Sequence, residues 1–404
     1  MRKGLSAFLL AAWCGCALAQ PYIVIDLGPT PANFEALSDF GDSLNSRGQV
    51  AGIVPSFVVG GHPIAAIGTA GDGVKTIVPP DLYSEPGGIN ESGNVVGILL
   101  PSGSTDFRAF FYAGGNLVDM GTLGGTFAFA TGISNTNLAT GESEDASGVL
   151  TAFLWNGSSM IGLPTPAGVL GSVGMGVSDN GNVTGLALIG SNPSNYQAFV
   201  WKGGKMVLLE GPLSAGNAVN NNGVVAGDTI NGAAMWTASG TRIDLGNGDA
   251  LAINGAGVIA GLISTPLAGA HASVWNQGIV TDLGSLFDPD VQSIAWSIDD
   301  AGAVFGLTYP NTSSNEVIEW APSVPVALDA LLRQVQGIGP GQSLPNKVQV
   351  ALADFGVGDK QGTCGALTGF VQEVQAQTGK KIDQALAARL RSNAAAIEAA
   401  RGCR

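Results

Sequence analysis

Apolar and polar positions along this chain form a nine-residue phrase that occurs seven times. It runs an apolar residue, then Asn, Ser or Asp, two polar residues, Gly in most copies, and a short valine-rich run closed by Gly. The copies occupy residues 44–52, 89–97, 133–141, 177–185, 219–227, 253–261 and 298–306, so the closing glycines are 45, 44, 44, 42, 34 and 45 residues apart. Each phrase predicts a β-hairpin, because Asn or Asp at the turn entry can bond the backbone two residues on and Gly tolerates the positive φ that closes the turn. A polar stretch then leads to an aromatic-tipped apolar run, as at 109–112, 152–155, 198–201 and 233–236, which predicts a third strand. Runs ending in Leu-Gly or similar, such as 116–121 and 242–246, predict a fourth. Four short strands in about 44 residues make one propeller blade.

Seven hairpins need seven fourth strands, and the chain after Trp320 continues as Ala321-Pro322-Ser323-Val324-Pro325, which reads poorly as one. Residues 22–28, Tyr-Ile-Val-Ile-Asp-Leu-Gly, have the fourth-strand pattern without a hairpin before them, so they are expected to complete the last blade and close the ring. The aromatic position recurs in nearly every repeat and is expected to pack between blades. The first copy has Ala65-Ala66-Ile67-Gly68 there, so that blade should pack less tightly, and the fifth repeat is short between Gly227 and Trp236.

From Leu328 the periodicity changes to helical. Leu328, Leu331, Leu332 and Val335 share one face, as do Leu367, Phe370, Val371 and Val374, with further helices expected at 344–354 and 382–400. Ser343, ahead of Leu344-Pro345, is the expected N-cap of the second helix, and Cys364 is expected to open the third. The fold class is therefore an all-β seven-bladed β-propeller over residues 20–325, followed by a small all-α bundle over 326–404 that is expected to fold as a separate unit.

Composition adds a compartment. Arg2, Lys3, an apolar stretch from Leu5 to Leu18 and Ala17-Leu18-Ala19 read as a signal peptide over residues 1–19, which implies a secreted or periplasmic protein. No later stretch is long and apolar enough for a membrane span. The two remaining cysteines, Cys364 and Cys403, are then expected to be bridged, since an antiparallel third and fourth helix would bring them together. Residues 20–327 carry six basic and 25 acidic residues, a balance of −19, which argues against nucleic acid as a partner; residues 328–404 carry nine basic and six acidic residues.

The Asn-x-x-Gly hairpins, the Ala-Phe-x-Trp runs and the linking run Met120-Gly121-Thr122-Leu123-Gly124-Gly125-Thr126 resemble the HAF family of extracellular repeats over about residues 22–320. That resemblance implies export and a propeller-like fold, without a defined activity. The family's histidine survives only at His271; Arg108, Thr151 and Gln197 stand at the equivalent places. The run from Cys364 to Cys403, with Gly379-Lys380-Lys381 between its helices, looks like the helical FIMAH module of some exported bacterial proteins. Lys380 and Lys381 read as a solvated turn, or as a docking point for an acidic surface.

The sequence lacks Gly-x-Ser-x-Gly, Ser-x-x-Lys, His-Glu-x-x-His and a phosphate loop. The only histidines are His62 and His271, and Gly246-Asn247-Gly248 and Gly356-Val357-Gly358 read as turns. No catalytic residue and no cofactor is expected. Calcium is the one ion the carboxylates suit, at Asp288 and Asp290 or at Glu142, Glu144 and Asp145, although neither set has calcium-loop spacing. The favoured reading is an exported, non-catalytic binding or scaffold protein for an extracellular glycan or protein. The alternatives are a carbohydrate-acting propeller enzyme using channel carboxylates and a self-associating surface component. Carboxylates facing each other across the axial opening would favour the enzyme, and a neutral lining the binder.

Overall fold

The computed structural model describes residues 22–36, 43–55, 61–190, 195–266, 269–285, 290–310, 315–339 and 341–403. The expected signal peptide and Asp288 lie outside them.

Strand β1 (Ile23–Pro29) opens the chain. Blade 1 holds β2 (Glu35–Ala36), β3 (Gln49–Pro55), β4 (Pro63–Thr69) and β5 (Val74–Thr76), and blade 2 holds β6 (Ser84–Ile89), β7 (Val95–Leu99), β8 (Arg108–Ala113) and β9 (Asn116–Gly121). Blade 3 is β10 (Gly124–Ile133), β11 (Ala139–Asp145), β12 (Leu150–Trp155) and β13 (Met160–Gly162). Blade 4 is β14 (Val169–Val177), β15 (Val183–Ile189), β16 (Tyr196–Lys202) and β17 (Lys205–Pro212). Blade 5 is β18 (Ser214–Val219), β19 (Val225–Thr229), β20 (Gly232–Trp236) and β21 (Arg242–Gly246). Blade 6 is β22 (Gly248–Ile253), β23 (Ile259–Thr265), β24 (Gly269–Asn276) and β25 (Ile279–Asp282). Blade 7 takes β26 (Ser293–Ile298), β27 (Val304–Thr308) and β28 (Glu316–Ala321), with β1 as its outer strand, antiparallel to β28. Seven four-stranded sheets and a closure strand from the N-terminus match the sequence reading.

Both glycines of the repeated phrase have a physical reason. The fifth position has positive φ in all seven turns, at Gly48, Gly93, Gly181, Gly223, Gly257 and Gly302, with Asn137 taking φ 65° in blade 3. The closing glycine faces a β-bulge. In blades 2 to 7 the register of the innermost strand slips by one residue opposite it, for example between Pro86 and Gly88 against Gly97. A Cβ on any of the seven would overlap a carbonyl oxygen of the inner strand, as Gly185 would that of Val173.

The aromatic tips pack between blades. Trp155, Trp236, Trp275 and Trp320 are almost wholly buried in clusters that join each blade to the one before. Three indole N–H groups donate across the seam, Trp236 to Glu210 O (2.8 Å), Trp275 to Leu245 O and Trp320 to Leu283 O (both 3.1 Å). Blade 1 is the exception, and the expectation of looser packing there meets a substitute. The Phe34 ring lies where a Cβ on Gly68 or Gly52 would strike it, and it packs against the cluster of Leu44, Val50, Trp296 and Phe305 between blades 7 and 1.

Four helices follow: α1 (Val324–Val335), α2 (Ser343–Gly356), α3 (Lys360–Gln377) and α4 (Gln384–Arg401). Two details differ from the sequence reading. Gln342, not Ser343, holds the N-cap position of α2, and the Ser343 hydroxyl bonds Glu373 of α3 at 2.7 Å. Cys364 sits in the second turn of α3, whose cap is Asp359, accepting from Gly362 N; Asp383 caps α4 in the same way. Cys364 and Cys403 are bridged, with Cα atoms 5.6 Å apart.

The bundle does not stand clear of the ring. Its core, with Leu328, Leu331, Phe370, Leu390 and Ile397, is continuous with Ile23, Ile25 and Ala321 of blade 7. The helices fill the wedge beside β1, and the Arg389 guanidinium lies where a Cβ on Gly28 or Gly71 would approach it to 2.6 Å. The helical segment thus shares its core with the last blade.

Candidate functional site: the axial opening

The seven hairpin turns converge on a well of about 370 Å³ on the ring axis. Its lining takes the first residue of each phrase, Leu44, Ile89, Ile133, Val177, Val219, Ile253 and Ile298, most of whose side chains are buried in the seams between blades. Much of the rest of the lining is polar: Asn90, Ser134, Ser178, Asn220, Asn254 and Asp299 stand at the turn entries, and Glu91, Asn135, Asp179, Asn221 and Asp300 one position further on. In each hairpin the last strand residue faces the core, and the next two enter the turn at the opening.

The rim is knitted from blade to blade. Asn side chains at the turn entry first fix their own turn: Asn90 Oδ1 accepts from Ser92 N and Asn94 N, both at 3.0 Å. Their Nδ2 groups then donate to the next blade, Asn45 to Asn90 O, Asn90 to Ser134 O, Asn220 to Asn254 O and Asn254 to Asp299 O, at 2.9 to 3.1 Å. One position further on, backbone N–H groups donate to side chains of the following blade, Ser46 to Glu91 (3.0 Å), Glu91 to Asn135 (3.0 Å), Asn135 to Asp179 (2.8 Å) and Gly255 to Asp300 (2.8 Å). Asp299 accepts from Ala303 N at 2.8 Å within its own turn.

The opening therefore meets neither limit set from the sequence. Four carboxylates line it, yet each is held by a backbone donor. Asp299 is raised above the usual carboxylate range, chiefly by burial, with smaller contributions that include the negative charge of Glu91 on blade 2 and, in the opposite sense, the Arg333 guanidinium. The rim residues were legible only as turn formers, since a one-dimensional reading cannot show that seven turns point at one axis.

The other candidates lie elsewhere. His271 is buried on β24, its Nδ1 3.0 Å from Asp282 Oδ2 on β25, away from the axis on the outer half of blade 6. His62 Nδ1 is near Pro63 O (3.2 Å). Glu144 accepts from Thr126 N and Oγ1, and Asp145, held below the ordinary range by the Ser147 hydroxyl, accepts from Ser147 and Val149 N. Glu142, on the strand facing blade 4, is raised by burial. Among the described residues, no three of His, Cys, Asp and Glu gather at metal-binding distance, and no helix is long and apolar enough to cross a membrane. Gly246-Asn247-Gly248 links β21 to β22 through a bend at Asn247, and Gly356-Val357-Gly358 ends α2 in a turn.

A second polar cluster, not anticipated from the sequence, lies where the helices meet blade 7. Glu319 of β28 is fully buried, with one oxygen 2.6 Å from Arg333 Nη2 and the other without a hydrogen-bond partner. Burial pushes its carboxyl up to about 7 against the pull of Arg333. Glu316 is also pushed up to about 7, by burial and then by Asp26, and Asp26 is itself raised by burial. A lone Glu in the otherwise apolar run Val317-Ile318-Glu319-Trp320 was the signal in the sequence. Lys380 and Lys381 are exposed, with Lys380 Nζ turned to Ala376 O; Arg333 and Arg389 reach the ring instead.

No family model matches the chain, and no curated protein matches it, so the likeness to HAF repeats and to FIMAH rests on the residues quoted above. Several solved structures are similar. TolB from Acinetobacter baumannii is 10% identical over 67% of this chain and 63% of that one, with a TM-score of 0.37. A puromycin-hydrolyzing peptidase of Mycobacterium tuberculosis is 10% identical over 70% of this chain and 54% of that one (TM-score 0.38), so this chain spans less than two thirds of the length of both. The Aleuria aurantia lectin in complex with Fucalpha1-6GlcNAc is 11% identical over 56% of this chain and 88% of that one, with a TM-score of 0.28. Likenesses this remote say nothing of what the chain binds; its own strand order is that of a seven-bladed β-propeller followed by four helices.

Proposed function

We propose that the chain is an exported, non-catalytic binding protein that presents the axial well to an extracellular glycan or protein. One observation carries this reading: the rim carboxylates are engaged by backbone donors, those of Glu91, Asp179 and Asp300 from the preceding blade and that of Asp299 from its own turn, which makes the opening a rigid recognition surface. A glycosidase needs one carboxyl free to donate a proton and a second placed to attack or to activate water. Export is supported by the charged and apolar N-terminus, the Cys364–Cys403 bridge and the likeness to HAF repeats. No cofactor is proposed.

The enzyme reading keeps one support, the influence of Glu91 on Asp299 from a non-adjacent blade. A glycan array and a panel of chromogenic glycosides, run on the mature protein, separate the two. Binding without turnover supports the proposal, and turnover lost in Glu91→Gln or Asp299→Asn overturns it.

A further inference from the structure

The seam between blades 1 and 2 departs from the repeat at two facing positions. Strand β8 of blade 2 carries Tyr112 at the tip where the later blades carry Trp155, Trp201, Trp236, Trp275 and Trp320. In the outer strand of blade 1, Lys75 stands opposite Ile67, the register place that holds Val118, Ile161, Val207 and Ile243 in blades 2 to 5. Between these two residues and the neighbouring turns lies a cleft of about 430 Å³, on the side of the ring where the hairpin turns lie. Lys75 Nζ stands 5.4 Å from the centroid of the Tyr112 ring, whose face attracts the ammonium. Gly73, Gly114 and Gly115, in the turns that flank the mouth, have no atom within 4 Å of where a Cβ would stand, so the mouth is open.

The polar groups of this cleft are fixed from behind and half used. Gln49 Oε1 accepts from Asn45 Nδ2 at 2.9 Å, which leaves its Nε2 to donate; Asn94 Nδ2 donates to Asn137 Oδ1 at 2.8 Å, which leaves its Oδ1 to accept. The turn that carries Asp72 is held by Ala70 N on Gly48 O (2.9 Å) and by Gly71 N on Pro29 O (3.0 Å). Among the described residues, the side chains of Thr69, Asp72 and Lys75 have no hydrogen-bond or ion-pair partner. Arg108 and Arg242 each take an outer-strand aspartate as partner, Asp119 and Asp244, whereas Lys75 and Asp72 do not pair with each other.

We infer that this cleft is a second binding site, separate from the axial well, for a neutral hexopyranose. Each hydroxyl of such a ring both donates and accepts, which suits donors and acceptors set side by side in one small cleft. What the cleft shows to solvent is mostly polar, so the ligand needs no apolar body. A carboxylated ring would set its charge against Asp72, and an amino sugar against Lys75. A single ring at ordinary efficiency per atom has a dissociation constant on the order of 1 mM.

Saturation-transfer NMR with titration, on the full exported protein, tests this with a panel of methyl hexopyranosides together with methyl glucuronide and methyl glucosaminide. At least one neutral member should bind, and Asp72→Asn and Lys75→Met should each weaken it about tenfold. Lys205→Met, an exposed lysine of blade 4, should leave the affinity unchanged. Lys75→Val with Tyr112→Trp gives this seam the residues of the later ones, and should abolish binding without lowering the melting temperature. Should that double variant fold poorly, the exposed Asp72→Asn and Lys75→Met carry the test alone. Absence of binding by every neutral member at about 20 mM overturns the inference, as does tighter binding of the glucuronide or glucosaminide than of the neutral glucoside. A hexoside that binds and is indifferent to the Asp72 and Lys75 variants occupies another place, which overturns the inference and leaves the binding role proposed for the axial well standing.

Discussion

Asn393 of α4 treats Asp26 of β1 as a neighbouring strand would: Asp26 N donates to Asn393 Oδ1 at 3.0 Å, and Asn393 Nδ2 donates to Asp26 O at 2.8 Å. The outer edge of the closure strand is thus capped by a side-chain amide, which removes an open sheet edge where the ring is sealed.

Replacing Asn393 by Ala leaves Asp26 N unpaired and Asp26 O with only the longer bond from Gln334 Nε2 (3.3 Å), at a site where Asn393 is 2% exposed. The expected cost is about 2 kcal/mol. Chemical denaturation measures it, and hydrogen exchange should show the loss of protection concentrated in β1; a loss spread evenly over the seven blades would contradict the assignment.

Glu319 and Glu316 titrate near 7 in the folded chain. Their carboxyls bind protons more readily folded than unfolded, so the stability they contribute is present below the ordinary glutamate range and is lost as pH rises through about 7. The melting temperature should fall by a few degrees between pH 5 and 8. In Glu319→Gln about half of that slope should vanish, with the variant more stable than wild type at pH 8; an unchanged slope would show that burial of this carboxyl is not a source.

Phe34 fills the place left by Gly68 in blade 1. Phe34→Ala should destabilise the protein by about 3 kcal/mol through the cavity it opens. Loss of less than about 1 kcal/mol by thermal or chemical melting would mean that the seam between blades 7 and 1 does not depend on this ring.

Gly185 has no room for a Cβ beside Val173 O. Gly185→Ala should cost about 4 kcal/mol or more, well above the roughly 1 kcal/mol expected of an exposed turn glycine such as Gly203. Comparable melting of the two variants would refute the steric account of the closing glycine.

The bridge closes a loop with a sequence separation of 39, worth about 4 kcal/mol in the chain-entropy model. Intact mass with and without reductant checks the bridge in the exported fraction, and Cys364→Ser with Cys403→Ser should lower the denaturation midpoint accordingly.

What could be read in the sequence is whatever repeats. Asn90, Gly93 and their counterparts act within a few residues of themselves, and the same signal occurs seven times. The orphan strand at 22–28 was legible by counting, because a ring requires as many outer strands as hairpins. The closing glycines were visible but unexplained, since their reason is a carbonyl on the partner strand. Phe34, Arg389 and Asn393 were not legible: each acts across a seam that joins distant parts of the chain once, and a contact made once leaves no pattern. Ser343 misled for a related reason, because its hydroxyl found Glu373 on another helix. At the candidate site the turns were predicted, while the well they surround comes from the curvature of the ring.

The pairing of β1 with β28 also sets an order of events. Ile23 meets Ala321 about 300 positions along the chain, a closure that costs roughly 5 kcal/mol in chain entropy before any contact rewards it. Everything that receives β1, with β28 on one side and α4 on the other, is made by the far end of the chain. Until the N-terminal strand arrives, that groove is an unoccupied receptor with backbone groups on one wall and the Asn393 amide on the other. The strand of a second copy fits it as well as the chain's own, so crowded refolding should yield exchanged dimers and dilute refolding closed rings.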